Sequence, residues 1–335
     1  MDIVSVIITV YNKKKFIEKT LESVLNQSFK NIEIIVIDDC STDHSDQIIK
    51  NFIKKNKLKI KFIQNHKNQG VSFSRNLGFK KSSGQFVAFL DGDDYYLKNF
   101  ISKCLGKFDR NIDIVHCSWF RVNKFYQGKS KYFAPNPDDY LKDLLMGNIF
   151  APSSMLFKRK VINKVGLFKN GFIVEDWEYF ARCAMHGFRF EKLDNFLMYY
   201  MDDDSFSRRK SFNTNDQRFF LEIEEIFSNP LLNKKYLYLK DQSILRHRFF
   251  LHSDYKNWKK IKLLEYNKKQ IYKLLLNTKI QNQNFFYFTP FLKDFIYFEF
   301  FKISYLLYQA LEKKSNYFLF YINIVLKKII NKLRN

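Results

Sequence analysis

Cysteine is scarce in this chain, and long apolar runs are missing. The four cysteines, Cys40, Cys104, Cys117 and Cys183, stand far apart with no CxxC pair. That argues against a disulfide framework or a cysteine zinc site, and points to a reducing compartment with the cysteines as core residues. The six histidines form no ligand-spaced cluster either, so zinc is not expected. The most apolar segment, 285–311, is broken by Lys293, Asp294, Glu299 and Lys302, which leaves no stretch of about 18 apolar residues to span a bilayer. The N-terminal run to Val10 is also too short to span, and it lacks the basic flank of a signal peptide. It reads as a first, buried strand.

Acidic residues are the other deficit: 34 Asp and Glu face 57 Lys and Arg, a formal net charge of +23. The excess is concentrated late. Residues 231–335 carry 21 Lys and Arg against 6 Asp and Glu, a net of +15, leaving +8 for residues 1–230. Such a segment suits a polyanionic surface, acidic lipid or nucleic acid. No RRM, KH, zinc-finger or helix-turn-helix signature accompanies the charge, which argues against a nucleic-acid-binding module.

What is present is enough for one large α/β domain with an appendage, or for two domains: 335 residues, 46% of them hydrophobic. To about residue 117, short β-branched runs alternate with helical periods, predicting a largely parallel sheet wrapped by helices. The strands predicted are Val4–Val10, Ile32–Ile37, Lys59–Gln64, Phe86–Leu90 and Ile112–Cys117, with a helix on the stripe Phe16, Ile17, Thr20, Leu21, Val24 and Leu25. Beyond, the spacing predicts an antiparallel strand over Trp119–Tyr126, a helix over Pro137–Met146, a strand over Ser153–Phe157 and a helix over Trp177–His186 ending at Gly187. From about residue 214 helical spacing dominates. Residues 285–321 hold sixteen Phe or Tyr, and Ile322, Leu326, Ile329, Ile330 and Leu333 recur against Lys327, Lys328, Lys332 and Arg334. This reads either as a membrane-interface helix or as the core of a helical region or a homo-oligomer interface.

Ligands of open α/β sheets lie beyond the carboxyl ends of the strands. Three predicted strand ends carry suggestive side chains there: Thr9-Val10-Tyr11-Asn12, Asp38-Asp39-Cys40-Ser41 and Asp91-Gly92-Asp93-Asp94. Tyr11 offers a stacking face and Asp39 a hydrogen-bond acceptor for a base or sugar. Like charges 4 Å apart repel by roughly 4 kcal/mol at an effective dielectric of about 20, so three carboxylates in four positions ask for a cation. Asp91 and Asp93 suit Mg²⁺ or Mn²⁺ shared with phosphate oxygens; a solvated turn is the plainer alternative.

In order and spacing, Ser5-Val-Ile-Ile-Thr-Val-Tyr-Asn12, Ser23…Gln27, Ile35-Val-Ile-Asp-Asp-Cys-Ser-Thr-Asp43, Asn68-Gln-Gly…Ser74-Arg-Asn76, Phe89-Leu-Asp-Gly-Asp-Asp94 and Val174-Glu-Asp-Trp-Glu178 resemble the family 2 glycosyltransferases over residues 3 to about 208. The resemblance implies a GT-A fold, Rossmann-like, over 1–213, with a nucleotide-sugar half (1–117) and an acceptor half (118–213), followed by a helical, basic region (214–335). It implies inverting transfer from a nucleotide-diphosphate sugar, UDP-linked by first expectation, to an acceptor hydroxyl of a lipid-linked or surface glycan. The setting implied is the cytoplasmic face of a bacterial membrane, with the protein bound peripherally.

By the same resemblance, Thr9, Tyr11 and Asp39 hold the base, Arg75 positions the donor, Asp91 approaches the ribose or sugar, Asp93 ligates Mn²⁺ or Mg²⁺, and Asp176 is the general base. Asp38 is either a turn cap or a donor contact. Glu175 sits beside the base. Trp177 either packs under the acceptor sugar or anchors its helix. Asp202 stands where many relatives carry a histidine, and Ser205, Ser207, Arg208 and Arg209 either clamp phosphate or form a solvated loop. A processive synthase would carry a Gln-x-x-Arg-Trp motif and membrane helices, which are not seen. A non-catalytic scaffold is disfavoured by Asp39, Asp91, Asp93 and Asp176 occurring together.

Overall fold

All seven residues of the first strand, β1 (Val4–Val10), are buried, because a strand covered on both faces reads as a continuous apolar run. The computed structural model describes residues 2–57, 59–123, 129–202 and 216–244. Parallel to β1 lie β2 (Ile32–Asp38) and β4 (Phe86–Asp91), and β3 (Ile60–Gln64) extends the sheet beyond β2. The register pairs Val10 with Asp38 and Thr9 with Asp91, so the three acidic or polar strand ends meet at one edge. Helices α1 (Ile17–Leu25), α2 (Ser45–Asn56) and α3 (Val71–Lys81) make the crossovers.

The second half is mixed. Strands β5 (Tyr95–Tyr96), β6 (Ile114–Asn123), β7 (Lys129–Tyr132), β8 (Met155–Lys158) and β9 (Phe190–Asp202) complete the order β3-β2-β1-β4-β8-β6-β9-β5, with β7 on β6. Helices α4 (Phe100–Leu105), α5 (Tyr140–Met146), α6 (Arg159–Val165), α7 (Glu175–Met185) and α8 (Asp216–Phe227) surround it. The segments 112–117 and 119–126, predicted as two strands, contribute to a single strand, β6. It pairs in parallel with β9 through a register shift between Cys117 and Trp119, and antiparallel with β7 over Trp119–Val122. The bulge absorbs the break in alternation at Ser118 that makes one strand look like two.

Residues 1–247 form one unit; a second, 248–335, lies outside the described residues, as do the predicted boundary at 213/214 and the basic aromatic segment from 245 onward. Within the first unit, α8 packs on α7, with Phe219 near Trp177 and the Glu222 carboxylate accepting the Ile173 and Val174 N–H groups. No helix among the described residues is long and apolar enough to cross a membrane.

Candidate active site

The Asp91–Asp94 turn is held from below by α1. The buried Thr20 hydroxyl lies 3.1 Å from the Gly92 carbonyl and 2.8 Å from that of Asp94. Ser23 Oγ accepts the Tyr96 N–H, and Gln27 spans the Leu97 carbonyl and the Ile101 N–H. Thr20 and Ser23 share one face of α1 and Gln27 follows just past its end, so the Ser23…Gln27 pair is a scaffold for the acidic turn. Gly92 is required there: a Cβ would stand 2.9 Å from the Thr9 carbonyl.

Asp91 leads to the rest of the site through Arg75. Gly78 lets α3 lie against β1, since a Cβ would be 2.3 Å from Ile7 Cγ2. The Arg75 guanidinium, 2% exposed, bonds Asp91 at 3.0 Å and Glu175 at 3.1 Å. Burial works against its charge, yet Asp91, Glu175 and Asp176 hold its pKa above the ordinary arginine value. Arg75 thereby ties the end of β4 to the start of α7. The Thr9 hydroxyl donates weakly to Asp91 at 3.3 Å, and the Asp91 N–H donates to Ser153 Oγ.

Asp93 has a partner that the sequence did not announce. The Lys13 ammonium forms an ion pair with Asp93 Oδ2. Burial pushes the Asp93 carboxyl above its usual range; Lys13 opposes that shift and the Asp91 charge adds to it. Lys13 itself is raised, because Asp93, with Asp91 and Asp94 behind it, outweighs the cost of burial. Asp94, 2% exposed, is pushed well above the carboxylate range by burial and then by the charges of Asp93 and Asp91. Its Oδ1 accepts the Met201 N–H at 2.9 Å, so Asp94 joins the turn to β9; the helix after it begins at Phe100 without a side-chain cap.

At the end of β2, Asp38 is fully buried and accepts from Ser41 N–H and hydroxyl and from Gln64. This is the turn-capping geometry. Asp39, 3% exposed, accepts from Asn65 Nδ2 and from the Gln69 and Gly70 N–H groups, three of about four acceptor sites on a carboxylate. Tyr11 is 41% exposed and stands beside these acids at the end of β1.

Three acids fall in the first turn of α7, where the helix dipole favours them. Asp176 accepts the Asn148 amide at 2.8 Å and the Trp177 N–H at 2.7 Å, and it faces a cavity of about 210 Å³ with Trp119, Arg121, Tyr132, Asn148 and Tyr200. The registers Trp119–Tyr132 and Arg121–Tyr200 put those four side chains on one face of the second half-sheet. Glu175 is raised to about 8, by burial and by Asp176 against the pull of Arg75. Trp177 is 2% exposed and its indole N–H donates to the Leu144 carbonyl, the helix-anchoring geometry. His116 is buried against Tyr140 and Phe150, and burial pushes it down to about 3.

The structure thus gathers Thr9, Arg75, Asp91, Asp93 and Glu175 in one linked cluster, with Asp176 adjoining Glu175 in sequence. The side chain of Asp202 and residues 203–215, including Ser205, Ser207, Arg208 and Arg209, lie outside the described residues. No group of three or more His, Cys, Asp or Glu among the described residues could hold a metal. One carboxylate does suit a cation: Asp93 already has the Lys13 ammonium as a stand-in, and a hard divalent ion can complete its shell with phosphate and water. Lys13, Thr20, Asn148 and Ser153 were missed by sequence reasoning; each acts on residues 28 to 80 positions away, and no local spacing signals such a pairing.

The model of Glycosyl transferase family 2 matches residues 5–166. An uncharacterized glycosyltransferase of Haemophilus influenzae is 35% identical over 184 residues, covering 55% of this chain and 72% of its own. WfaP of Escherichia coli, named a UDP-Glc:alpha-D-GlcNAc-diphosphoundecaprenol beta-1,3-glucosyltransferase, is 46% identical over 163 residues, 49% of this chain and 64% of its own. Staphylococcus aureus TarS 1-349, solved in complex with UDP-GlcNAc, shares the fold at a TM-score of 0.59 and 23% identity, over 78% of this chain and 77% of that one.

Proposed function

Given that the chain belongs to the family 2 glycosyltransferases and has their α/β GT-A fold, we propose that it moves a sugar from a UDP-sugar to a hydroxyl of a lipid-linked glycan, inverting the anomeric centre. The observation that carries this reading is Asp176: a carboxylate oriented by Asn148 and open to a cavity, on the helix that Arg75 ties to the strand-end acids. Donor and acceptor classes are taken from WfaP, whose printed name gives a UDP-sugar and a diphosphoundecaprenol-linked sugar.

In this reading Asp176 takes the proton of the acceptor hydroxyl as its oxygen bonds to the anomeric carbon. The bond to the donor diphosphate breaks on the opposite face, and its electron pair leaves with the phosphate. Tyr11, Thr9 and Asp39 receive the base, Asp91 and Arg75 fix the sugar side, and Asp93 would hold Mn²⁺ or Mg²⁺. When bound, that cation would neutralise the negative charge that builds up on the departing diphosphate. The basic 231–335 segment would keep the enzyme at an anionic membrane surface, where a lipid-linked acceptor is presented.

The test is UDP release from a panel of UDP-sugars with Mn²⁺ and a diphosphoprenyl-linked sugar acceptor. Asp176→Asn should lower turnover by about 10²–10⁴-fold with UDP binding retained, whereas Asp93→Ala should lose both. Full turnover by the Asp176→Asn protein would refute its role.

A further inference from the structure

Among the described residues, Arg75 and Lys13 pair with the strand-end acids, and they differ in how firmly they are held. Arg75 is buried, bonded to acids on both sides, and stacked over Phe168 at 5.3 Å. Lys13 has one carboxylate partner, and its side chain keeps 24% of its exposure. The backbone that carries it is fastened: the Asn12, Lys13 and Lys14 N–H groups each donate at 2.9 Å, to Ser41 Oγ, Ser45 Oγ and Asp43 Oδ2. Lys13 therefore carries its ammonium on a long, rotatable stem above a fastened backbone. Its charge is secured by the surrounding acids, and it stands at the carboxylate that the family reading gives to a metal.

We propose that Lys13 is an exchangeable counter-ion of the donor site, holding Asp93 while no donor is bound, yielding that carboxylate to a divalent cation, and then pairing with the donor diphosphate. Before loading, Lys13 relieves the repulsion among Asp91, Asp93 and Asp94. A divalent cation on Asp93 makes the neighbouring ammonium redundant and repels it, and the nearest large new anion is the diphosphate. Lys13 is thus a positioning residue for the donor, and the inference rests on the donor reading above.

Lysine labelling with an amine-reactive reagent and mass spectrometry tests this on the wild-type chain. Modification of Lys13 should rise about fivefold when Mn²⁺ is added, the scale of a partly exposed ion pair, and fall again with UDP. In parallel, Lys13→Met should bind Mn²⁺ without nucleotide about fivefold more tightly than wild type, and UDP in EDTA about fivefold less tightly, with Lys13→Arg restoring UDP binding. Labelling that Mn²⁺ leaves unchanged, or Mn²⁺ affinity in Lys13→Met no greater than in wild type, overturns the exchange; should that variant not fold, the wild-type labelling decides. If wild type binds none of UDP, GDP or dTDP, the donor reading itself falls. If wild type and Lys13→Met bind UDP equally, only the role of Lys13 falls.

Discussion

Glu175 has the raised carboxyl whose value, about 8, lies within an accessible pH range. Its cause is burial beside Asp176, and Arg75 offsets only part of it. Below about pH 4.5 the folded and unfolded chains both hold this proton. Between there and about pH 8 the unfolded chain releases it more readily, so stability is lost as pH rises through that window. Glu175→Gln cannot ionise. Its melting temperature should therefore gain on wild type by a few degrees from about pH 5 to about pH 8, measured in scans at matched ionic strength. A constant difference across that range would show that Arg75 neutralises the carboxylate fully. At the same scale, the strand-end acids were readable as a cation-seeking group, but the identity of the cations was not. Arg75 could be placed near the donor only by resemblance, and Lys13 shows no pattern in a run of three lysines.

Helix α1 couples the sheet to the acidic turn, and Thr20 is its central contact. Thr20→Val keeps the shape but removes the donor facing the Gly92 and Asp94 carbonyls, a loss of about 1–3 kcal/mol when buried acceptors are left unpaired. Urea unfolding should show that cost, and calorimetry should show weaker UDP binding, because the turn that carries Asp93 loosens. Unchanged affinity would mean that Gln27 and Ser23 suffice. Strands β1, β2 and β4 were legible from sequence because burial on both faces makes their residues continuously apolar. Helix α3 shows no amphipathic signal, since its buried face is Ser72, Ser74, Arg75, Asn76 and Gly78, a polar set that leaves no apolar stripe. Strand β9 was not foreseen: its thirteen residues mix Glu191, Lys192, Asp194 and Asn195 with apolar ones, and its pairing depends on β6, about 75 residues earlier.

At the scale of the whole chain, the strand-rich unit of residues 1–247 is followed in sequence by a strongly basic C-terminal third. With +15 of its +23 net charge in residues 231–335, the full chain should co-sediment with phosphatidylglycerol vesicles and detach as salt rises through the range where surface charge is screened. Preference for DNA over such vesicles at matched salt would reverse the membrane reading. The Asp94–Met201 hydrogen bond, which spans 107 positions, has a consequence for synthesis. While the chain is still emerging from the ribosome, the first four strands can pair in sequence order, yet the carboxylate at the heart of the acidic turn lacks its amide donor until β9 is translated and folds back. Completion of the acidic strand-end turn therefore waits for the strand that borders the Asp176 cavity, and a chain arrested before residue 201 leaves Asp94 without that amide.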